Sequence, residues 1–259
     1  MKLKGRVAIV TGGGSGIGRG ICRHIAKEGG TVVVCDIDPA SAEATVASIT
    51  QEGGEAISMK ADVTKKSEVR KMVEETRKKY GRIDILVNNA GTDIKGAITE
   101  LKEETWDMLM ALNLKGVFLC TQAVMPMMIE QHYGRVVNIA SMAGKTGEPF
   151  TSPYCASKFG VIGFTQSVAL EVGKHNVTIN AICPGPVDTE LIRKSVAQSA
   201  KIKGMSPEDF MQEFFIGPTP LGRIAKPSDV AKAVVFLASD DAEFITGSTL
   251  NVSGGREMH

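Results

Sequence analysis

The sequence predicts an α/β protein, a single doubly wound domain of about seven parallel strands with helices on both faces. Three observations lead there. Short β-branched runs alternate with helix-like segments of roughly ten or more residues, the pattern of βαβ units. The strand-like runs are continuously apolar rather than alternating, as they are when helices cover both faces of a sheet. The first run also leads straight into a glycine-rich loop and then a helix.

In chain order the strand signals fall at 6–11, 31–36, 56–61, 83–88, 135–140, 178–183 and 249–252. The helical patterns fall at 17–28, 40–51, 67–80, 103–130, 154–173 and 228–238. No Pro/Ser-rich linker, composition shift or repeat divides the chain, so residues 1–259 read as one Rossmann-type domain. Met125-Pro126-Met127-Met128 reads as helix core or a subunit-packing surface, with Pro126 expected to kink or interrupt its helix.

The rhythm breaks at 188–222, a stretch of 35 residues. Within it Ser206 reads as an N-cap, Pro207 as the first helical residue, and Glu208 and Asp209 as first-turn acids. An excursion of one or two short helices is expected, at a strand end where substrate lids sit.

Composition narrows the function. Hydrophobic residues make up 43% of the chain, enough for a sizeable core. With 30 basic and 29 acidic residues the net charge is +1, and no long basic run stands out. Nucleic acid and anionic membrane are therefore poor candidates as partners, since both need a concentrated positive face. The apolar stretches read as far short of the roughly 20 residues that span a bilayer. The N-terminus reads as neither a signal nor a transit peptide. Five cysteines, at 22, 35, 120, 155 and 183, form no C-x-x-C pair, and four histidines share no ligand spacing. Neither a disulfide framework nor a metal site is indicated, which suits a reducing cytoplasm.

The first strand ends in Thr11-Gly12-Gly13-Gly14-Ser15-Gly16-Ile17-Gly18. Glycines let backbone approach a pyrophosphate, and a helix N-terminus offers free N–H groups and partial positive charge. The spacing Gly12-x-x-x-Gly16-x-Gly18 departs from the common G-x-G-x-x-G, so its place between strand and helix carries the dinucleotide reading. Asp36 ends the second strand eighteen residues after Gly18, near the roughly 20 expected of an acid that accepts from the adenosine ribose. Such a carboxylate repels a 2′-phosphate, and neither the glycine loop nor Ile37 supplies a compensating arginine. The direction of Arg19 on its helix is open. NAD(H) is favoured over NADP(H), with Asp36 as a strand-end cap the alternative.

Tyr154-Cys155-Ala156-Ser157-Lys158 places a phenol and an ammonium one helical turn apart. A phenol titrating near pH 10 is a poor base at neutrality, and a nearby ammonium favours the phenolate. The pair alone occurs by chance in many helices. Cys155 has no histidine base placed near it in sequence and reads as a small packing residue.

Taken with Thr11-Gly-x-x-x-Gly-x-Gly18, Asp62-Val63, Asn88-Asn89-Ala90-Gly91, Asn113, Ser141 and Pro184-Gly185-x-Val187-x-Thr189, however, the chain resembles the short-chain dehydrogenase/reductase family essentially end to end. The resemblance implies that Tyr154 exchanges a proton with the substrate oxygen. Lys158 would lower the tyrosine pKa and hold the nicotinamide ribose. Ser141, thirteen residues before Tyr154, would bond the reacting oxygen. Asn113 would order the backbone and a water that relays protons to Lys158. Gly12, Ser15, Gly16, Ile17, Gly18, Asp36, Asp62, Val63, Asn89 and Gly91 would line the adenosine and pyrophosphate side. Pro184, Gly185, Val187 and Thr189 would hold the nicotinamide. Structural readings stand beside these: Asn88 and Asn89 as groups satisfying a strand end, Ser141 as a turn residue, and Thr189 as a helix cap.

The resemblance further implies an enzyme that interconverts a secondary alcohol and a ketone with NAD, packed as a homotetramer through its two long helices. Glu148 and the excursion offer polar groups to a substrate. The stretch 136–158 and the ending Asn251-Val252-Ser253-Gly254-Gly255 look most like family members acting on a polyol, sugar alcohol or small hydroxyketone. The alternative is a 3-oxoacyl thioester reductase, a class that usually prefers NADPH. A catalytically silent dinucleotide sensor would be expected to lose the tyrosine, lysine or serine, and all three are present.

Overall fold

The structure, a computed structural model, describes residues 1–259, excepting the side chains of Gln198 and Ile202. Seven strands form one sheet in the order β3-β2-β1-β4-β5-β6-β7: β1 (Val7–Thr11), β2 (Thr31–Asp36), β3 (Glu55–Lys60), β4 (Ile85–Asn88), β5 (Gly134–Ile139), β6 (Val177–Pro184) and β7 (Thr249–Val252). Every neighbouring pair is parallel. The connecting helices are α1 (Gly16–Lys27), α2 (Pro39–Gln51), α3 (Lys66–Tyr80), α4 (Glu103–Met110), α5 (Gly116–Gln131), α6 (Ser152–Val172), α7 (Glu190–Lys203), α8 (Pro207–Met211) and α9 (Pro227–Ala238).

Successive strand residues point to opposite faces, and each face meets its own helices. Ala8, Val10, Val32 and Val34 pack with Ile21 and Ile25 of α1, Ile49 of α2, and Val230 and Val234 of α9. Ile9, Val33, Leu86 and Val136 pack on the other side with Met72 of α3, Val124 and Met128 of α5, and Val172 of α6. β1, β4, β5 and β6 are buried along their whole length, which explains their unbroken apolar runs. The sheet order reverses at β1, whose neighbours are β2 and β4, and opens a crevice at their carboxyl ends.

Two sequence expectations are corrected. The helix expected over 103–130 is interrupted by a wider π turn at Ala111–Lys115, while Pro126 sits inside α5 without ending it. Taken through that turn, Glu103–Gln131 is 29 residues with a mean hydropathy of 1.5 over its most apolar window. That is long and apolar enough to cross a bilayer by length and composition, so the apolar stretches are not far short of that length. Its buried face serves the core: Leu119, Cys120, Val124 and Met128 pack under the sheet. The excursion at 188–222 does contain helices, with Ser206 Oγ accepting from Asp209 N at 3.0 Å as the N-cap of α8.

Candidate active site

The nominated catalytic residues converge at the carboxyl ends of β4 and β5 and the first turns of α6. That helix begins two residues before Tyr154, with Pro153 in its first turn. Lys158 is 5% exposed, and its Nζ lies 5.6 Å from the centre of the Tyr154 ring. Lys158 Nζ donates to the carbonyl of Ile139, the last residue of β5, at 2.8 Å. Two residues on, Ser141 Oγ accepts from Ala143 N at 3.1 Å and meets the Tyr154 phenol.

Asn113 stands on the π turn, a distortion that often marks functional positions. It is fully buried. Its Oδ1 accepts from Thr92 N at 3.0 Å, and its Nδ2 donates to Thr92 O at 2.9 Å and to Ser157 Oγ at 3.3 Å. Ser157 Oγ donates to Tyr154 O at 2.7 Å. One amide thus ties the loop leaving β4 to the helix that carries Tyr154. Gly91 is the wedge between the partners: a Cβ there would lie 3.0 Å from Asn113 Oδ1 and 3.6 Å from Lys158 Nζ.

Burial dominates the electrostatics. It pushes the Tyr154 phenol up to about 12, opposed by its hydrogen bond with Ser141 and reinforced by the carboxylates of Asp93 and Glu148. It draws Lys158 down to about 8. The expectation that Lys158 holds the phenol low is therefore corrected for the ligand-free site. Desolvation drives both groups toward their neutral forms, and the lysine nitrogen is turned to Ile139.

The glycine loop fits a dinucleotide. Ser15 is the N-cap of α1 with extended backbone and no side-chain capping bond, and the first turn holds no acid. Its first N–H groups are available to an anion. Gly12 has φ 62°, and a Cβ there would lie 2.9 Å from Ala90 Cα; one on Gly18 would lie 2.0 Å from Gly12 O. Only glycine tolerates that approach. Gly16 lies under Thr189, whose Cγ2 would be 3.4 Å from an added Cβ, and Ile17 packs partly buried against the core. Thr189 also caps α7, accepting from Ile192 N at 3.3 Å.

Asp36 Oδ2 accepts from Gly14 N at 2.9 Å, locking the carboxylate to the glycine loop. Arg19 turns back onto the same loop, bonding Gly14 O at 3.1 Å and Thr45 Oγ1 at 3.1 Å. Asp62 Oδ1 is held by Thr64 N and Thr64 Oγ1 at 2.9 and 2.7 Å, beside buried Val63. Asn89 spends its Nδ2 on Thr11 O and Gly12 O, both at 3.0 Å, so it shapes the loop from behind. Asn88 bonds Thr121 and Asn138 within the core. Pro184 closes β6, Gly185 N donates to Val252 O at 3.1 Å, and Val187 pairs with Ala225.

Cys155 is buried, with Sγ 3.3 Å from Thr151 Oγ1 and 3.4 Å from Glu148 N, as a packing residue would be. Glu148 itself is exposed. Sequence reasoning did not single out Thr92, Ser157, Asp93 or the Ile139 carbonyl. Asp93 has a buried Oδ1 with no hydrogen-bond partner among the described residues, and burial raises its pKa.

A family model described as short chain dehydrogenase matches residues 6–200. The chain belongs to that family. It is 40% identical over 258 residues to the (2S)-[(R)-hydroxy(phenyl)methyl]succinyl-CoA dehydrogenase subunit of Thauera aromatica, covering 100% of this chain and 99% of that protein. It is 42% identical over 258 residues to a 3-oxoacyl-[acyl-carrier-protein] reductase of Synechocystis sp., covering 99% and 98%. Among solved structures, a variant of actinorhodin polyketide ketoreductase determined with NADPH superposes at a TM-score of 0.95, with 38% identity and 98% of each chain covered.

This short-chain dehydrogenase therefore acts between a hydroxyl and a ketone with a nicotinamide dinucleotide. A bound nicotinamide supplies the hydride acceptor or donor. Ser141 and Tyr154 are the polar side chains that the family resemblance nominates for the reacting oxygen, and they lie together at the carboxyl end of β5 and the first turn of α6. Lys158 and Asn113 hold the geometry from behind.

Proposed function

We propose that this short-chain dehydrogenase is an NAD(H)-linked oxidoreductase that interconverts a 3-hydroxyacyl and a 3-oxoacyl thioester. The observation that carries the substrate class is the full-length similarity to two proteins whose names specify acyl thioesters, one a dehydrogenase and one a reductase. This favours the thioester alternative over a polyol, sugar alcohol or small hydroxyketone. The cofactor choice rests on Asp36, whose carboxylate sits at the end of β2 over Gly14. Ile37 beside it is 62% exposed and carries no charge to balance a 2′-phosphate. Arg19 is engaged by Gly14 and Thr45.

Initial rates with acetoacetyl-CoA, sugar alcohols and acyclic diols, each with NAD(H) and NADP(H), test this reading. Turnover of acetoacetyl-CoA with NADH at least about tenfold better in kcat/KM than any polyol reaction supports it, a difference of about 1.4 kcal/mol. Preference for a sugar alcohol, or for NADPH, contradicts it.

We propose further that the protein works as a homotetramer, and that it works in the cytoplasm, a compartment that five buried thiols suit. Phe118, 41% exposed, lines a groove with Met110, Leu114 and Phe164. Burying such a face against another copy is favourable. Sedimentation velocity at micromolar concentration reads the assembly directly.

A further inference from the structure

We propose that Arg256 and Glu257, in the segment after β7, are positioning residues that hold the two walls of the substrate cleft in place for the reaction. Each binds a different segment beside the site, Glu257 the turn that follows Ser141 and Arg256 the excursion between β6 and β7, these being the two proposed walls. Thr146 Oγ1 donates to Glu257 Oε2 at 2.7 Å, and Glu257 is only 7% exposed. Arg256 donates to Phe214 O at 2.8 Å and to Phe215 O at 3.3 Å, at the end of the excursion's second helical stretch. A cation is favoured at the last carbonyls of a helical stretch, and Phe214 O is its main acceptor here because Phe215 O also accepts from Thr219 Oγ1 at 2.7 Å.

The strap has a fixed base. Ser253 Oγ accepts from Glu257 N and donates to Glu257 O, both at 3.1 Å. Asn251 Nδ2 donates to Glu257 O at 3.0 Å. Asn251 lies in β7, registered opposite Cys183 of β6. Neighbouring glycines let the strap pass close to the chain: a Cβ on Gly254 would lie 2.8 Å from Thr219 Cγ2, and one on Gly255 3.0 Å from Pro220 Cγ.

Thr146 is part of the turn that begins at Ser141. Thr146 N donates to Met142 O at 3.1 Å, and Gly144 N donates to Ser141 O at 2.9 Å. Gly144 packs on α6, where a Cβ would lie 2.8 Å from Lys158 O. The short turn from 141 to 146 therefore links the Glu257 carboxylate to the serine that meets the reacting oxygen. Glu257 Oε1 lies 3.5 Å from His259 N and Nε2, so the threonine makes the shorter bond and is the partner of Oε2; without it that oxygen is left unpaired and the bond resists release. Displacement of a positioning group by about an ångström is enough to cost rate.

Hydrogen exchange of the ligand-free protein, read by mass spectrometry, tests each half. Glu257→Ala is expected to speed exchange at 143–146 and Arg256→Ala at 212–217, with β1, β4 and β5 unchanged. With acetoacetyl-CoA and NADH, Glu257→Ala is expected to raise the thioester KM about 5- to 10-fold while NADH affinity stays constant, the size of one charge-assisted hydrogen bond. Thr146→Val reproduces this, the double variant is no worse than either single, and Glu257→Gln, which keeps an accepting oxygen, retains most of the activity. Unchanged exchange at 143–146, additive losses, or NADH affinity falling in step with kcat/KM overturns the proposal. The exchange measurement needs no substrate. It decides the proposal even where acetoacetyl-CoA is not turned over, a result that counts against the thioester reading alone.

Discussion

Lys158 reaches from the second turn of α6 to the end of β5, where its Nζ donates to Ile139 O at 2.8 Å. The bond fixes the lysine behind Tyr154, in a site where burial draws its pKa from 10.5 down to about 8. Because the folded value is the lower one, the folded protein loses this proton first. Between those values the unfolded chain binds more protons, so the lysine's contribution to stability rises with pH. Below about pH 8 the burial cost is present in full, on the order of 3 kcal/mol. Lys158→Met removes it. Relative to wild type, the ligand-free variant is expected to melt higher at about pH 7.5, to keep roughly half of that advantage at about pH 9.5, and to lose the rest only above about pH 10.5, the unfolded value. A gap in Tm that does not change with pH would contradict the burial argument. Tyr154, raised from 10.0 to about 12, acts with the opposite sign, losing stability only as pH climbs above its unfolded value.

Asn113→Ala strands the N–H and carbonyl of Thr92 and takes from Ser157 Oγ the donor it accepts, leaving that hydroxyl its bond to Tyr154 O. Each buried group left unpaired costs about 1–3 kcal/mol, so chemical denaturation should show a loss in that range or above. Turnover should fall further than stability explains, because the loop at Gly91 and the backbone of Tyr154 are released together. A variant that melts lower yet keeps its kcat would confine Asn113 to a structural role.

Gly18→Ala tests the close approach of the cofactor loop. The added Cβ would lie 2.0 Å from Gly12 O, a backbone atom that cannot step aside without moving the loop. NADH affinity, read by fluorescence titration, is expected to fall at least about tenfold, or about 1.4 kcal/mol. Unchanged affinity would mean that the loop does not hold the pyrophosphate.

Asp36→Ala removes the carboxylate that faces the glycine loop. The ratio of NADH to NADPH affinity is expected to drop at least about tenfold, through weaker NADH binding and relief of repulsion toward a 2′-phosphate. An unchanged ratio would leave Asp36 as a structural tie to Gly14.

Much of this was legible in the sequence because it rests on periodicity and glycine spacing. The strands were found within about two residues, since β1, β4, β5 and β6 are buried on both faces and read as apolar runs. Tyr154, Lys158, Ser141 and Asn113 were nominated through the resemblance to the family, and the fold brings them together around the first turns of α6. The π turn at Asn113 was not, because one extra residue in a helix leaves the apolar pattern nearly intact. Ser157 and Thr92 escaped because their roles are set by contacts across 44 and 21 residues of chain. The raised phenol pKa of the ligand-free site was not legible for a similar reason. Spacing places a lysine near a tyrosine, whereas burial depends on everything packed around both. Arg256 and Glu257 lie beyond the last strand with no local signal at all, and their partners are 42 and 111 residues distant.

The most direct test of the site is Tyr154→Phe, which keeps the ring and removes only the hydroxyl that meets Ser141. Steady-state turnover of acetoacetyl-CoA with NADH should fall about 10²- to 10⁴-fold while the NADH dissociation constant stays within about twofold. A variant that retained near-normal kcat would contradict the assignment of Tyr154 as the residue that exchanges the proton.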